Sequence, residues 1–193
     1  MLTAIELRPG MAIRVEGQIY RVLEAESKAG TAKLGGVVKT KLSNVGSGHI
    51  WEPHFRPQER LEVVELERRN LEFVFATGDV FTFMSPDTFE QIEVAKAILG
   101  PAEKFLQSGM QVPVEFFEGE PLNVVFPEAV EIRVAETAPP AHAQQETTWK
   151  YAKLENEMTV QVPMFVGPGE MVRIEVRTGR YMERVRAERR RGA

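Results

Sequence analysis

Phe73-Val74-Phe75-Ala76-Thr77-Gly78-Asp79-Val80-Phe81-Thr82-Phe83 sets two short apolar runs on either side of a four-residue connection. Aromatic and β-branched residues suit a pleated, half-buried surface, and Gly78 can supply positive φ in a tight turn. The stretch reads as an antiparallel hairpin. The same arrangement recurs in both directions. Ile13–Val15 reaches Glu16-Gly17-Gln18 and returns as Ile19–Leu23, while Val37–Leu42 alternates, breaks over Asn44–Gly48 and resumes at His49–Trp51. Val112–Phe117 and Leu122–Phe126 flank Glu118-Gly119-Glu120, and Val172–Val176 turns at Arg177–Arg180 into Tyr181–Val185. Helical signals are few: Pro101–Gln107 can make two turns, with Pro at a first-turn position and Gly109 as the stop.

Strands this short, in blocks of about 60 residues, favour small closed barrels over one large sandwich. Closure matters because an open edge exposes unpaired N–H and C=O groups. The sequence therefore predicts an all-β chain divided at 1–65, 66–138 and 139–193. Glu65-Leu66-Glu67-Arg68-Arg69-Asn70 reads as a charged connector, and the Pro/Ala/Gln-rich stretch Ala135–Trp149 as the main linker. Arg184–Ala193 carries five arginines with little to bury and reads as a basic tail.

The 193 residues are 43% hydrophobic and 27% charged, an ordinary globular balance. No window holds the roughly 18 unbroken apolar residues that a membrane span needs. Met1-Leu2-Thr3-Ala4-Ile5-Glu6 meets an acid at once and lacks the basic start of a signal peptide. There are no cysteines, which excludes disulfides, a thiol nucleophile and thiolate metal sites. These features together predict a soluble cytoplasmic protein. The net charge of −4 hides an asymmetry: residues 1–64, 65–138 and 139–193 balance at +2, −9 and +3. An acidic middle between basic ends leaves room for an anionic partner at either end.

Catalytic constellations are poor. His49 and His54 lie five residues apart, which on one strand puts them on opposite faces, and His142 falls in the polar linker. The serines sit in no nucleophile elbow, and no phosphate-binding glycine loop is present. Neither an enzyme, a metal site nor a cofactor is expected. The phenylalanines 73, 75, 81 and 83 could form a base-stacking platform, but core packing accounts for them better. One segment stands out, Glu26–Val37. It carries Lys28 and Lys33, the next strand carries Lys39 and Lys41, and no acid intervenes between Ser27 and Lys41. Gly30, Gly35 and Gly36 let its backbone turn freely and approach another molecule closely. A hairpin with arms of five or six residues can project roughly 15–20 Å. From the residues alone the segment is either such a finger or a plain lysine-bearing connection.

In order and spacing, several pieces of the chain resemble the bacterial elongation factor P family. They are Leu7-Arg8-Pro9-Gly10, Tyr20-Arg21-Val22-Leu23-Glu24 and Val38-Lys39-Thr40-Lys41-Leu42-Ser43-Asn44, then Phe83–Gln91 and Phe117-Glu118-Gly119-Glu120-Pro121. Val160-Gln161-Val162-Pro163, Gly169 and Arg177-Thr178-Gly179-Arg180-Tyr181 complete the match. The resemblance implies an SH3-like (KOW-like) first barrel and two OB-fold barrels arranged as an L. It implies a monomeric factor that binds both ribosomal subunits and peptidyl-tRNA and relieves stalling at consecutive prolines. Lys33 takes the loop-tip position, a possible modification site that makes a lysine-modifying enzyme a further partner. Lys28, Gly30, Gly35, Gly36, Lys39 and Lys41 become the loop's RNA contacts, and Arg177, Tyr181 and Arg184 the contacts to tRNA and the small subunit.

Three features depart from the family pattern. The usual Pro-Gly-Lys-Gly or Pro-Gly-Arg-Gly tip is here Ala29-Gly30-Thr31-Ala32-Lys33-Leu34-Gly35, about one residue longer and without proline. Glu157 stands where the family has Gly, and Gln144-Gln145-Glu146-Thr147 replaces Lys-Gly-Asp/Asn-Thr. The departures admit a divergent paralogue with a different set of stalling sequences. A general RNA-binding barrel protein is the remaining alternative.

Overall fold

The computed structural model describes residues 1–28, 36–140 and 149–185. Three antiparallel sheets follow one another along the chain, each curled into a small barrel. The first holds β1 (Leu2–Thr3), β2 (Ala12–Val15), β3 (Gln18–Lys28), β4 (Val37–Asn44), β5 (Ile50–Trp51), β6 (His54–Phe55) and β7 (Arg60–Val64). Its order is β1-β7-β2-β3-β4-β5, with β6 also paired to β4. Inward residues of these strands, among them Ile13, Val22, Val38, Leu42, Phe55 and Leu61, form its core.

The second sheet holds β8 (Glu67–Thr77), β9 (Val80–Met84), β10 (Gln91–Ala95), β11 (Gln111–Phe117) and β12 (Glu120–Val124), ordered β10-β9-β8-β11-β12. The charged run Glu67–Asn70 is not a connector. It opens β8 and pairs with Pro113–Phe116 of β11, leaving Glu65-Leu66 to join the barrels. Charge alone misled here, because polar residues on the outer face of a half-buried strand cost nothing. Phe73, Phe81 and Phe83 meet in the core with ring centroids 5.5–5.9 Å apart. Phe75 does not join them and is 49% exposed. A bulge between Phe73 and Phe75 adds one residue to the ladder and moves Phe75 to the outer face.

The third sheet holds β13 (Ala129–Thr137), β14 (Trp149–Leu154), β15 (Thr159–Pro163), β16 (Met171–Glu175) and β17 (Tyr181–Arg184), ordered β15-β14-β13-β16-β17. β13 bridges β14 and β16, so residues 129–137 belong to this sheet rather than to the middle block. The polar stretch after Thr137 joins two of its strands. The inward set Val130, Ile132 and Val134 at period two explains the placement. The expected helix near Pro101 is a four-residue turn of helix, Lys96–Leu99, followed by a 3₁₀ segment, Gly100–Phe105. Its Phe105 is 3% exposed and inserts into the third core, tying the second and third barrels together.

Candidate functional site

β3 and β4 form the longest hairpin of the first barrel, in register from Tyr20↔Asn44 to Lys28↔Val37. β2 covers the other edge of β3 at Gln18–Arg21 only, while β6 reaches β4 at Val38 and Lys39. Beyond Val22, therefore, the described part of β3 runs as an edge strand with its outer side open, while β4 stays flanked by β5 and β6 as far as Val38. Six residues separate Val22 from Lys28, about 20 Å of strand at roughly 3.3 Å per residue.

The two faces of the β3–β4 arm differ because of a bulge between Val22 and Glu24. Leu23 is the extra residue, and the phase of β3 inverts past it. Ala25 and Ser27 then share a face with Thr40 and Val38, which are buried. Glu24, Glu26 and Lys28 share the outer face with Lys41, Lys39 and Val37. Glu24 Oε1 lies 3.9 Å from Lys41 Nζ, and Glu26 stands directly opposite Lys39. The cations that looked unopposed along the sequence thus face two acids across the strands. Lys28, the last paired residue of β3, is exposed and opposes an apolar residue, Val37. Gly36 immediately precedes Val37. Lys33, Gly30 and Gly35 lie outside the described residues. In sequence Lys33 falls five residues after Lys28 and four before Val37, near the centre of the connection between the arms.

The structure places the residues expected to contact tRNA and the small subunit at the far end of the chain, on the third barrel, and engages them unequally. Arg177 sits in the β16–β17 turn, its side chain 84% exposed, with Glu175 at 3.7 Å. Tyr181 packs edge-on against Trp149, with centroids 6.1 Å apart. Burial raises its phenol above the ordinary value of 10.0, and the neighbouring Arg184 acts in the opposite sense. Arg184 donates to Glu170 Oε1 at 3.1 Å and lies over the Phe165 ring at 5.2 Å. Trp149 and Phe165, which touch this pair, are exposed, as is Tyr151 two residues on from Trp149. They escaped the sequence reading because Trp149 looked like linker; the available signal was the alternation of Trp149, Tyr151 and Lys153 along one strand face. Glu157 has φ of +65°, a left-handed backbone that glycine adopts without strain, which accounts for the Gly expected there.

Among the described residues no three His, Cys, Asp or Glu side chains gather as a metal site would require. No helix of those residues is long and apolar enough to cross a membrane.

Comparison with known proteins covers all three barrels. Residues 3–61 match the elongation factor P (EF-P) KOW-like domain, residues 66–124 the elongation factor P (EF-P) OB domain, and residues 130–184 the C-terminal domain of elongation factor P. The chain is similar to elongation factor P of Symbiobacterium thermophilum, 38% identical over 186 residues that span 95% of this chain and 100% of that protein. It is 37% identical to elongation factor P of Clostridium botulinum, over 96% of this chain and 100% of that one. Among solved structures, a translation initiation factor eIF-5A family protein from Naegleria fowleri superposes with a TM-score of 0.53 at 14% identity. That superposition covers 65% of this chain and 94% of that one, and it speaks for the fold alone.

Proposed function

The chain belongs to the elongation factor P family, and we propose that it is a cytoplasmic, non-catalytic factor that binds the ribosome and carries Lys33 to the reacting end of peptidyl-tRNA. The observation that supports this most is the long β3–β4 hairpin, buttressed by β5 and β6 as far as Val38, whose paired end at Lys28 and Val37 brackets the lysine-bearing connection. A stiff arm on a folded barrel holds a tip in one place. Proline needs that help, because its ring fixes φ and makes it an awkwardly oriented reactant. Holding the peptidyl-tRNA still lowers the entropic part of the barrier by several kcal/mol, with no proton transfer from the protein. Relief of stalling at consecutive prolines follows from positioning alone. On the third barrel, Arg177, beside the cleft that Arg21 and Glu115 also line, and Tyr181 with Arg184 on a separate face are the contacts to the tRNA stem and the small subunit. A second reading is favoured by the proline-free stretch Ala29–Gly35. It keeps the same site and gives the chain a different set of stalling sequences, with Lys33 unmodified or modified by another enzyme.

Co-sedimentation with ribosomes across a salt series tests the binding step. Each phosphate contact contributes a slope of about −0.7 to −0.9 in log K against log salt. Binding is expected to fall steeply with salt, and Lys39→Ala to reduce the slope by about one. Because Glu26 opposes Lys39, Glu26→Gln is expected to strengthen binding. Salt-independent binding would exclude an RNA partner.

A further inference from the structure

Glu115 is the charged residue among the buried polar side chains described, only 3% exposed. It lies on β11, where the pairing with β12 shifts register between Glu115 and Phe116. Both carboxylate oxygens are used. Arg21 of the first barrel donates from Nη2 to Oε1 at 2.8 Å, and Asn123 of β12 donates from Nδ2 to Oε2 at 3.1 Å. The pair bridges 94 positions of sequence and two barrels.

The surrounding contact between the barrels is apolar. Ala12, Ile19, Val45 and Val64 of the first barrel meet Phe117 and Leu122 of the second, with Leu66 between them. Such a patch adheres without direction and tolerates sliding. An ion pair whose carboxylate is buried does the opposite. Its desolvation offsets most of its attraction, so it adds little net stability, but it admits only the arrangement in which both partners meet. Arg14 makes a second and more exposed crossing, 3.5 Å from Glu118 and over the Phe117 ring at 4.8 Å.

We propose that Arg21, Glu115 and Asn123 form a positioning joint that fixes the rotation of the first barrel on the second, and so the direction of the β3–β4 arm. The inference rests on the reading that this arm carries Lys33 to the reacting tRNA. Arg21 and Lys28 lie on the same strand, seven residues apart, a lever of about 23 Å at roughly 3.3 Å per residue. A rotation of roughly 5° at the joint swings the end of that lever by about 2 Å. A misplacement of about 1 Å in a positioned reaction can lower its rate on the order of 100-fold.

The absence of cysteine makes a direct test simple. Gln58→Cys and Asp79→Cys place one exposed nitroxide label on each barrel, and pulsed electron paramagnetic resonance gives the distance distribution between them. The double-labelled parent is expected to show one narrow distance. Glu115→Ala should broaden it or add a second distance while the cooperative melt survives, because Arg21 is partly exposed and can turn to water. Glu115→Gln keeps an acceptor for Arg21 and should stay closer to the parent. If Glu115→Ala does not fold, Arg21→Gln is judged by the same width. A distribution as narrow as the parent's overturns the joint. On ribosomes stalled at consecutive prolines, Glu115→Ala should lower the rate of peptide-bond formation without loss of binding; a broadened distribution with an unchanged rate overturns the positioning role. A parent protein that gives no acceleration refutes instead the functional reading, which the ribosome-free distance measurement keeps separate.

Discussion

Lys33→Ala is expected to lower the factor-dependent rate of peptide-bond formation at consecutive prolines by about 10- to 100-fold, while ribosome binding stays within about tenfold of the parent. The asymmetry follows from where the energy lies. On the proposed reading binding is spread over phosphate contacts at both basic ends of the chain, and a single lysine supplies one of them. The rate depends on what one cation does beside the reacting groups, where water is excluded and a charge counts for more than at the surface. Single-turnover reaction of a stalled prolyl-tRNA complex separates the two, because saturating factor removes the binding term. A rate unchanged at saturation would end the assignment of Lys33 as the tip. Loss of binding in parallel with rate would make Lys33 an anchor instead of a positioning group.

Phe83→Ala is expected to destabilise the middle barrel by about 3–5 kcal/mol, whereas Phe75→Ala, two strand positions from the same core, should change stability by no more than about 1 kcal/mol. Phe83 is fully buried and its ring meets Phe73 at 5.5 Å. Removing it loses transfer energy and leaves a cavity that a small curled sheet cannot close without breaking its ladder. That loss is a large share of the 5–15 kcal/mol typical of a whole domain. Phe75 sits on the outer face past the bulge and gives up little on truncation. Urea denaturation of the two variants reads the difference directly. Equal midpoints would mean that the bulge does not set the phase of β8.

Most strands were legible because alternating apolar residues and glycine turns are local signals. What escaped depends on register. Glu24 and Glu26 sit on one strand, Lys39 and Lys41 on the next, and nothing local says which will face which. Only the ladder ending at Lys28↔Val37, with one extra residue at Leu23, brings acid opposite base. The bulge beside Val74 hid the exposure of Phe75 in the same way. β13 was read into the middle block because the polar run after Thr137 resembles an interdomain linker, although it connects two strands of one sheet. Arg21 and Glu115 are ordinary strand residues in sequence, and their pairing depends on how two barrels dock, which no periodicity records. The assignment of Lys33 as the tip rests on the resemblance to the family, and Lys33 lies outside the described residues.

Under the proposed function the connection that carries Lys33 reaches the acceptor end of peptidyl-tRNA. A photoreactive amino acid in place of Lys33, irradiated in complexes stalled at consecutive prolines, tests it most directly. Cross-linking to the 3′-terminal nucleotides of the tRNA, lost when the tRNA is released, is the expected result. Cross-links confined to the protein's own first barrel, or to RNA remote from the tRNA end, would contradict it.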